Sequence, residues 1–301
     1  MKVTILGNNS ALPAFGRHPT AQAVTVYGDH LLLDCGEGTQ IQMQRYGIKW
    51  RSVPHIFISH MHGDHYFGLP GLINSMSLLG RTTPLHVYAP PAMQAIMDIV
   101  QGVAESELCF PYYFHPLPEG SAATLVDNES YSVKCFPVEH RIPCHGFVIE
   151  RKTRGRKLLP EKAREYEIPA AFYDRLKQGE DYTRKDGLLV KNEWVTEDGP
   201  SPKKYAYCAD TLFTDSFLEH VKGADTIYHE CTYLHADVAK ADARFHSTAR
   251  QAAEFAVMAN AKQLLLGHYS SKYKDLEPFR EEAAEVFANV HATVEGAAYE
   301  V

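Results

Sequence analysis

The chain has 301 residues, 45% of them hydrophobic and 22% charged, with a formal net charge of −7. That length suffices for one large α/β domain with a sizeable core, and the acidic balance argues against a protein that coats nucleic acid indiscriminately. No apolar run approaches the ~20 residues of a membrane span, and the start, Met1-Lys2-Val3-Thr4-Ile5-Leu6-Gly7, is too short an apolar run for a secretory signal, so a soluble, cytoplasmic protein is expected.

In chain order, short aliphatic and β-branched runs at Lys2–Leu6, Ala23–Tyr27, His30–Asp34 and His55–Ser59 read as buried strands. Phe67, Leu69, Leu72, Ile73, Met76 and Leu79 then recur at helical spacing and stop at Gly80. Leu85–Ala89 reads as a strand and Pro91–Val103 as a helix. The second half repeats this style, with strands near Tyr131–Pro137, Phe147–Glu150, Tyr205–Ala209, Thr226–His229 and Gln263–Gly267. Ser247 or Thr248 is placed to cap an alanine-rich helix that ends at Asn260. Two strand-rich halves with their own helices suggest two packed sheets with helices outside. Between them, residues 151–191 carry twelve Lys/Arg against seven Asp/Glu, a net +5, with few apolar residues and Pro160, Pro169 and Gly187 as punctuation. This stretch reads as an inserted basic arm rather than a core element.

Six cysteines form no C-x-x-C pair and are expected to be reduced thiols in or near the core. Chemistry concentrates instead in Ser59-His60-Met61-His62-Gly63-Asp64-His65, directly after a strand. A turn at a strand end aims several side chains into one cleft. His60 and His62 could hold one divalent cation, and Asp64 and His65 could reach a second, an N/O donor set that suits zinc and tolerates manganese. More ligands are needed, and three later residues also follow strands: His140, Asp210, whose two oxygens could bridge both ions, and His268.

The His60-x-His62-x-Asp64-His65 pattern, with His140, Asp210 and His268 in order behind it, resembles the metallo-β-lactamase superfamily. Within it, the sequence is similar to ribonuclease Z in four places. These are Ser59–Leu69, the opening Leu6-Gly7-x-x-Ser10-Ala11-Leu12-Pro13, Asp34-Cys35-Gly36-Glu37-Gly38, and Gly267–Tyr273. His229-Glu230-Cys231-Thr232 and the downstream His246-Ser247-Thr248 resemble that family's His-Glu-Ala-Thr segment and its paired histidine.

The resemblance implies one α/β domain over 1–301, an αββα four-layer sandwich, with the 151–191 arm as a tRNA-binding exosite. It implies two zinc ions, one on His60, His62, His140 and Asp210 and one on Asp64, His65, Asp210 and His268. The implied activity is removal of the 3′ trailer from precursor tRNA by a homodimer. Asp64 is expected to take a proton from the attacking water. His246, oriented by Glu230, is expected to give one to the leaving 3′ oxygen, and Asp34 to support a ligand rather than be one. Two departures stand out: the arm has Pro169-Ala170-Ala171-Phe172 where many bacterial members have a Gly-Pro element, and Ala14–Thr20 is only loosely like the substrate-positioning loop. A small-molecule hydrolase or generic phosphodiesterase of the same fold is the alternative, though it would have no use for a basic arm. A non-catalytic RNA-binding protein would have no use for a full ligand set.

Overall fold

The computed structural model describes residues 1–103 and 107–301 and divides into two compact units. The larger unit holds 1–127, 131–150 and 203–301. It contains two seven-stranded sheets. The first runs, in spatial order, Ala298–Glu300, Lys2–Gly7, Ala21–Val26, Asp29–Leu33, His55–Phe57, Leu85–Ala89, Tyr112–Pro116. The second runs Val290–Ala292, Gln263–Gly267, Thr226–Glu230, Lys203–Cys208, Cys144–Arg151, Tyr131–Val138, Ala123–Asp127.

Side chains of both sheets, among them Val24, Leu31, Phe57, Phe147, Tyr207 and Ile227, share one buried core. The outer face of the first sheet is covered by the helices Thr39–Arg45, Leu69–Leu78 and Ala92–Val103 through a second core of Ile56, Leu72, Ile73, Met76 and Met97. The helices Ala249–Met258 and Glu277–Ala284 pack their buried Ala252, Phe255, Ala256 and Phe279 against the second sheet. The four layers are helix, sheet, sheet, helix, the αββα order expected. Thr248 begins the helix Ala249–Met258 with a reciprocal capping box to Gln251. No helix among the described residues is long and apolar enough to cross a membrane. All six cysteines are free, five of them buried and Cys109 exposed.

Parallel pairing puts strand ends together where the chemistry lies. Asp29–Leu33, His55–Phe57 and Leu85–Ala89 are parallel neighbours in the first sheet, and Lys203–Cys208, Thr226–Glu230 and Gln263–Gly267 are parallel neighbours in the second. Glycine is required where backbones then touch: a Cβ on Gly68 would stand 2.1 Å from the Gly36 carbonyl oxygen, and one on Gly36 would stand 2.5 Å from that of Asp64.

The smaller unit comprises 128–130 and 151–202, so it runs eleven residues past the expected end of the arm. Composition understated its apolar content, because much of it is aromatic. Ile168, Leu176, Val190 and Val195 form a small core, with Tyr166, Phe172, Tyr173 and Tyr182 packed on it. Asn192 fastens it, donating to the Leu176 and Glu180 carbonyls and accepting from the Thr196 hydroxyl. Its charge also differs from the sequence estimate. Glu129, Glu193, Glu197 and Asp198 reduce +5 to +1, and several cations are engaged internally, as in Arg156–Asp198, Lys157–Glu197 and Arg184–Glu167.

One buried cation ties the segment after the helix Leu69–Leu78 to the turn before His55. Arg81 is 1% exposed, and its guanidinium donates to the carbonyls of Trp50, Val53, Thr83 and Pro84 at 2.6–2.9 Å. Arg81→Met keeps the volume but strands these acceptors, and is expected to lower unfolding free energy by about 3 kcal/mol. Urea denaturation checks this. An unchanged midpoint would mean that the carbonyls find other donors.

Candidate metal centre and active site

All seven residues singled out in the sequence converge. Ligand atoms of His60, His62, His140 and Asp210 lie within 4.8 Å of one another, as do those of Asp64, His65 and His268. Each arrives from a strand end: His60 after His55–Phe57, His140 after Tyr131–Val138, Asp210 after Lys203–Cys208, His268 after Gln263–Gly267. Asp64 and His65 sit in the short helical turn Gly63–Tyr66.

Asp210 stands between the two groups. Its Oδ2 is 3.7 Å from His60 Nε2 and 4.0 Å from His140 Nε2, while Oδ1 is 3.4 Å from His65 Nε2 and 3.1 Å from His268 Nε2. His62 presents Nδ1, 2.9 Å from His60 Nε2 and 3.2 Å from His140 Nε2. Asp64 Oδ2 is 3.6 Å from His65 and 3.4 Å from His268. Four donors ~2.0–2.1 Å from a tetrahedral zinc stand about 3.3 Å apart. The spacing and the imidazole and carboxylate donors fit divalent cations.

Tautomers are set from behind. A ligating histidine donates its other ring N–H to an oxygen, which frees the facing lone pair. His65 Nδ1 donates to Asp34 Oδ2 at 2.8 Å, His60 Nδ1 to the Ser59 hydroxyl at 3.0 Å, His140 Nδ1 to the Phe245 carbonyl at 2.9 Å and His268 Nδ1 to the Thr232 hydroxyl at 2.9 Å. Asp34 is fully buried and also accepts from the Ser59 N–H, the Ser59 hydroxyl and the Tyr207 hydroxyl at 2.7, 2.9 and 2.6 Å. It lies behind His65. The N–H of Ala11 donates to Asp64 Oδ2 at 2.7 Å, which ties the opening loop to the cluster.

The electrostatics agree. Burial pushes His60 well below the usual imidazole range and lowers His62 and His140 as well, so their rings stay neutral and able to ligate. Burial opposes the charge on Asp210, but His268 and His65 outweigh it and hold this carboxyl well below the carboxylate range. Burial also works against a charged His65, yet Asp210, Asp64 and Asp34 overcome it and lift its pKa well above 6.5. Three carboxylates that favour a positive charge at one ring define a pocket built for cations.

Glu230 and His246 adjoin this cluster. His246 Nδ1 lies 2.8 Å from Glu230 Oε1, and its ring centroid is 5.2 Å from that of His140 and 5.5 Å from that of His268. Glu230 is fully buried and accepts as well from the backbone N–H groups of Thr211, Ser247 and Thr232 and from the Thr232 hydroxyl. Burial alone would lower the His246 pKa, but the Glu230 charge outweighs it and raises the pKa above its ordinary value. Sequence reasoning missed Tyr207, the hydroxyl roles of Ser59 and Thr232, and the Ala11 and Phe245 backbone groups. Tyr207 shares a strand with the approach to Asp210 and could have been picked out as an inward position. Backbone donors leave no trace in residue identity.

Asp34→Asn tests the support behind His65. Losing the charge that orients this ring is expected to weaken metal binding by about 10- to 100-fold, measured by chelator competition. Wild-type affinity would show that Asp34 serves the fold alone.

Against known proteins, residues 1–154 match the family model described as anti-Pycsar protein Apyc1. Over 285 residues the chain is 41% identical to the ribonuclease Z of Porphyromonas gingivalis, covering 95% of this chain and 94% of that one. It is 38% identical over 294 residues to the ribonuclease Z of Parabacteroides distasonis, covering 98% and 97%. Among solved structures it resembles the short form of human tRNase Z, with a TM-score of 0.73 and 26% identity over 100% of this chain and 99% of that one. The metallo-β-lactamase-fold protein YhfI of Bacillus subtilis, at TM-score 0.68 and 19% identity over 99% of this chain and 98% of that one, shares the fold. With such relatives spanning nearly its whole length, the chain belongs to the ribonuclease Z family.

Proposed function

We propose that the chain removes the 3′ trailer from precursor tRNA by hydrolysing one phosphodiester bond. As a ribonuclease Z it is an endoribonuclease. The observation that carries the detailed reading is Asp210, whose two oxygens face two different donor groups. His60, His62, His140 and Asp210 would hold one divalent cation, and Asp64, His65, Asp210 and His268 a second. Zinc suits this set, with manganese as a substitute. When bound, such a pair lowers the pKa of water toward ~7 and neutralises charge on the reacting phosphate.

The protein supplies the rest. Asp64, held by the Ala11 N–H, accepts a proton from the attacking water. His246, beside His140 and His268, gives its proton to the departing 3′ oxygen, so tRNA keeps a 3′-hydroxyl and the trailer a 5′-phosphate. Glu230 fixes the ring so that Nε2 faces the cluster, and its charge keeps the imidazolium available. Residues 151–202 act as the tRNA grip. Because most of their charge is balanced, contact falls to particular cations such as Lys162 and Lys185, which make no ion pair among the described residues, rather than to a general basic field. Action as a homodimer in the cytoplasm fits six unpaired cysteines and the family; light scattering on the purified protein tests the dimer, and a monomer peak would refute it.

Asp64→Ala is expected to abolish cleavage of precursor tRNA while leaving tRNA binding nearly intact. His246→Asn should lower kcat by about 10²- to 10⁴-fold at unchanged metal content. Single-turnover cleavage, metal analysis and a tRNA-binding titration read both, and a wild-type rate in either variant would remove that residue from the mechanism. Replacing 151–202 by a short linker should abolish cleavage of precursor tRNA but spare hydrolysis of a small phosphodiester. Undiminished tRNA processing would sink the grip.

A further inference from the structure

His140 lines one side of a cleft of about 660 Å³ whose other walls have no part in the chemistry above. Its walls include Glu119, Glu139, Arg141, His145 and Phe245. The His145 ring is held in place by its Nε2–H, which donates to the Pro118 carbonyl at 2.8 Å.

Phe245 is the unusual member. It follows the helix Val238–Ala243 and has φ +58°, in the left-handed region where a helix end normally takes glycine. A large side chain is strained there. The backbone has a reason for that conformation, since the Phe245 carbonyl accepts the His140 Nδ1 proton at 2.9 Å. Glycine would aim the same carbonyl without strain, so the backbone does not account for the phenyl ring. Packing accounts for only part of it, since Phe245 remains 39% exposed. A ring retained against strain, half in solvent, on the wall of a cleft beside the reacting centre has its use outside the protein.

We propose that this cleft is a nucleobase subsite in which Phe245 stacks on the base of the last nucleotide before the cut. This rests on the precursor-tRNA reading. The side of the cut follows from His246, the residue next to Phe245. The oxygen that His246 protonates belongs to the nucleotide 5′ of the scissile bond, so that nucleotide's ribose lies at His246 and its base beside Phe245. The walls suit a base: Glu119 and Glu139 accept base N–H groups, Arg141 donates to base carbonyls and ring nitrogens, and a π-face suits any base. Phe245 is thus a positioning residue that seats the terminal nucleotide so that its 3′ oxygen meets His246.

The test uses Phe245→Gly and Phe245→Trp in the full-length metal-loaded protein. Each is assayed on precursor tRNA and on the same RNA with an abasic ribose before the cut. Phe245→Gly is expected to keep its metal and its thermal stability, because it relieves strain, yet to lose roughly ten-fold in kcat/KM on the normal RNA. The wild type should lose about as much on the abasic RNA, and Phe245→Gly should then show little further loss. Phe245→Trp should retain activity on the normal RNA. Equal losses for Phe245→Gly on both RNAs, or none on the normal one, would overturn the subsite while leaving the proposed function standing. A wild type that cleaves neither RNA would overturn both.

Discussion

A single buried carboxylate, Asp210, organises the site. An anion this far from water is costly unless opposite partial or full charges surround it. Here His60 and His140 approach one oxygen while His65 and His268 approach the other. Satisfying it requires the ends of strands from both sheets to meet at one place, and within the second sheet the parallel pairing of Lys203–Cys208, Thr226–Glu230 and Gln263–Gly267 brings Asp210 and His268 together. The glycine contacts at Gly36 and Gly68 let the histidine turn come close enough to join.

Around this centre the backbone is repeatedly forced out of its ordinary range. Ala11, Asp34, Phe245 and His268 all have φ between +55° and +64°, and none is glycine. Each costs about 1 kcal/mol or more relative to a relaxed residue. In each case the conformation serves the cluster: Ala11 turns its N–H to Asp64, Asp34 reaches behind His65, Phe245 presents a carbonyl to His140, and His268 points its own ring inward. The stability lost to strain is offset by the surrounding cores, a division of labour common to reactive sites.

Much of this was legible in the chain. The histidine motif, the three later residues and the αββα layers could be read because strand ends and helical periodicity leave clear patterns. What escaped reading was either short or non-local. Ala298–Glu300 is a strand only because it pairs with Lys2–Thr4 across nearly the whole sequence, and Val290–Ala292 is three residues on an edge. The helix Thr39–Arg45 begins without a side-chain cap, at Gly38. The smaller unit misled in the other direction, since its aromatic core was hidden among charges and its balancing acids lie outside the stretch where the cations cluster. Hydroxyl and main-chain supports such as Tyr207, Thr232 and Ala11 depend on geometry that no residue type announces.

The way the two halves share the donors has a consequence for biogenesis. One group combines His60 and His62 with His140 and Asp210, and the other combines Asp64 and His65 with His268. Asp34 at the end of one sheet is hydrogen-bonded to Tyr207 of the other. A nascent polypeptide that has emerged only as far as residue 138 therefore holds two donors of each group; the first group is complete once Asp210 has emerged and the second once His268 has. Capture of the cations proposed above therefore follows synthesis of the second sheet's later strands. A product truncated before Asp210 carries neither group whole.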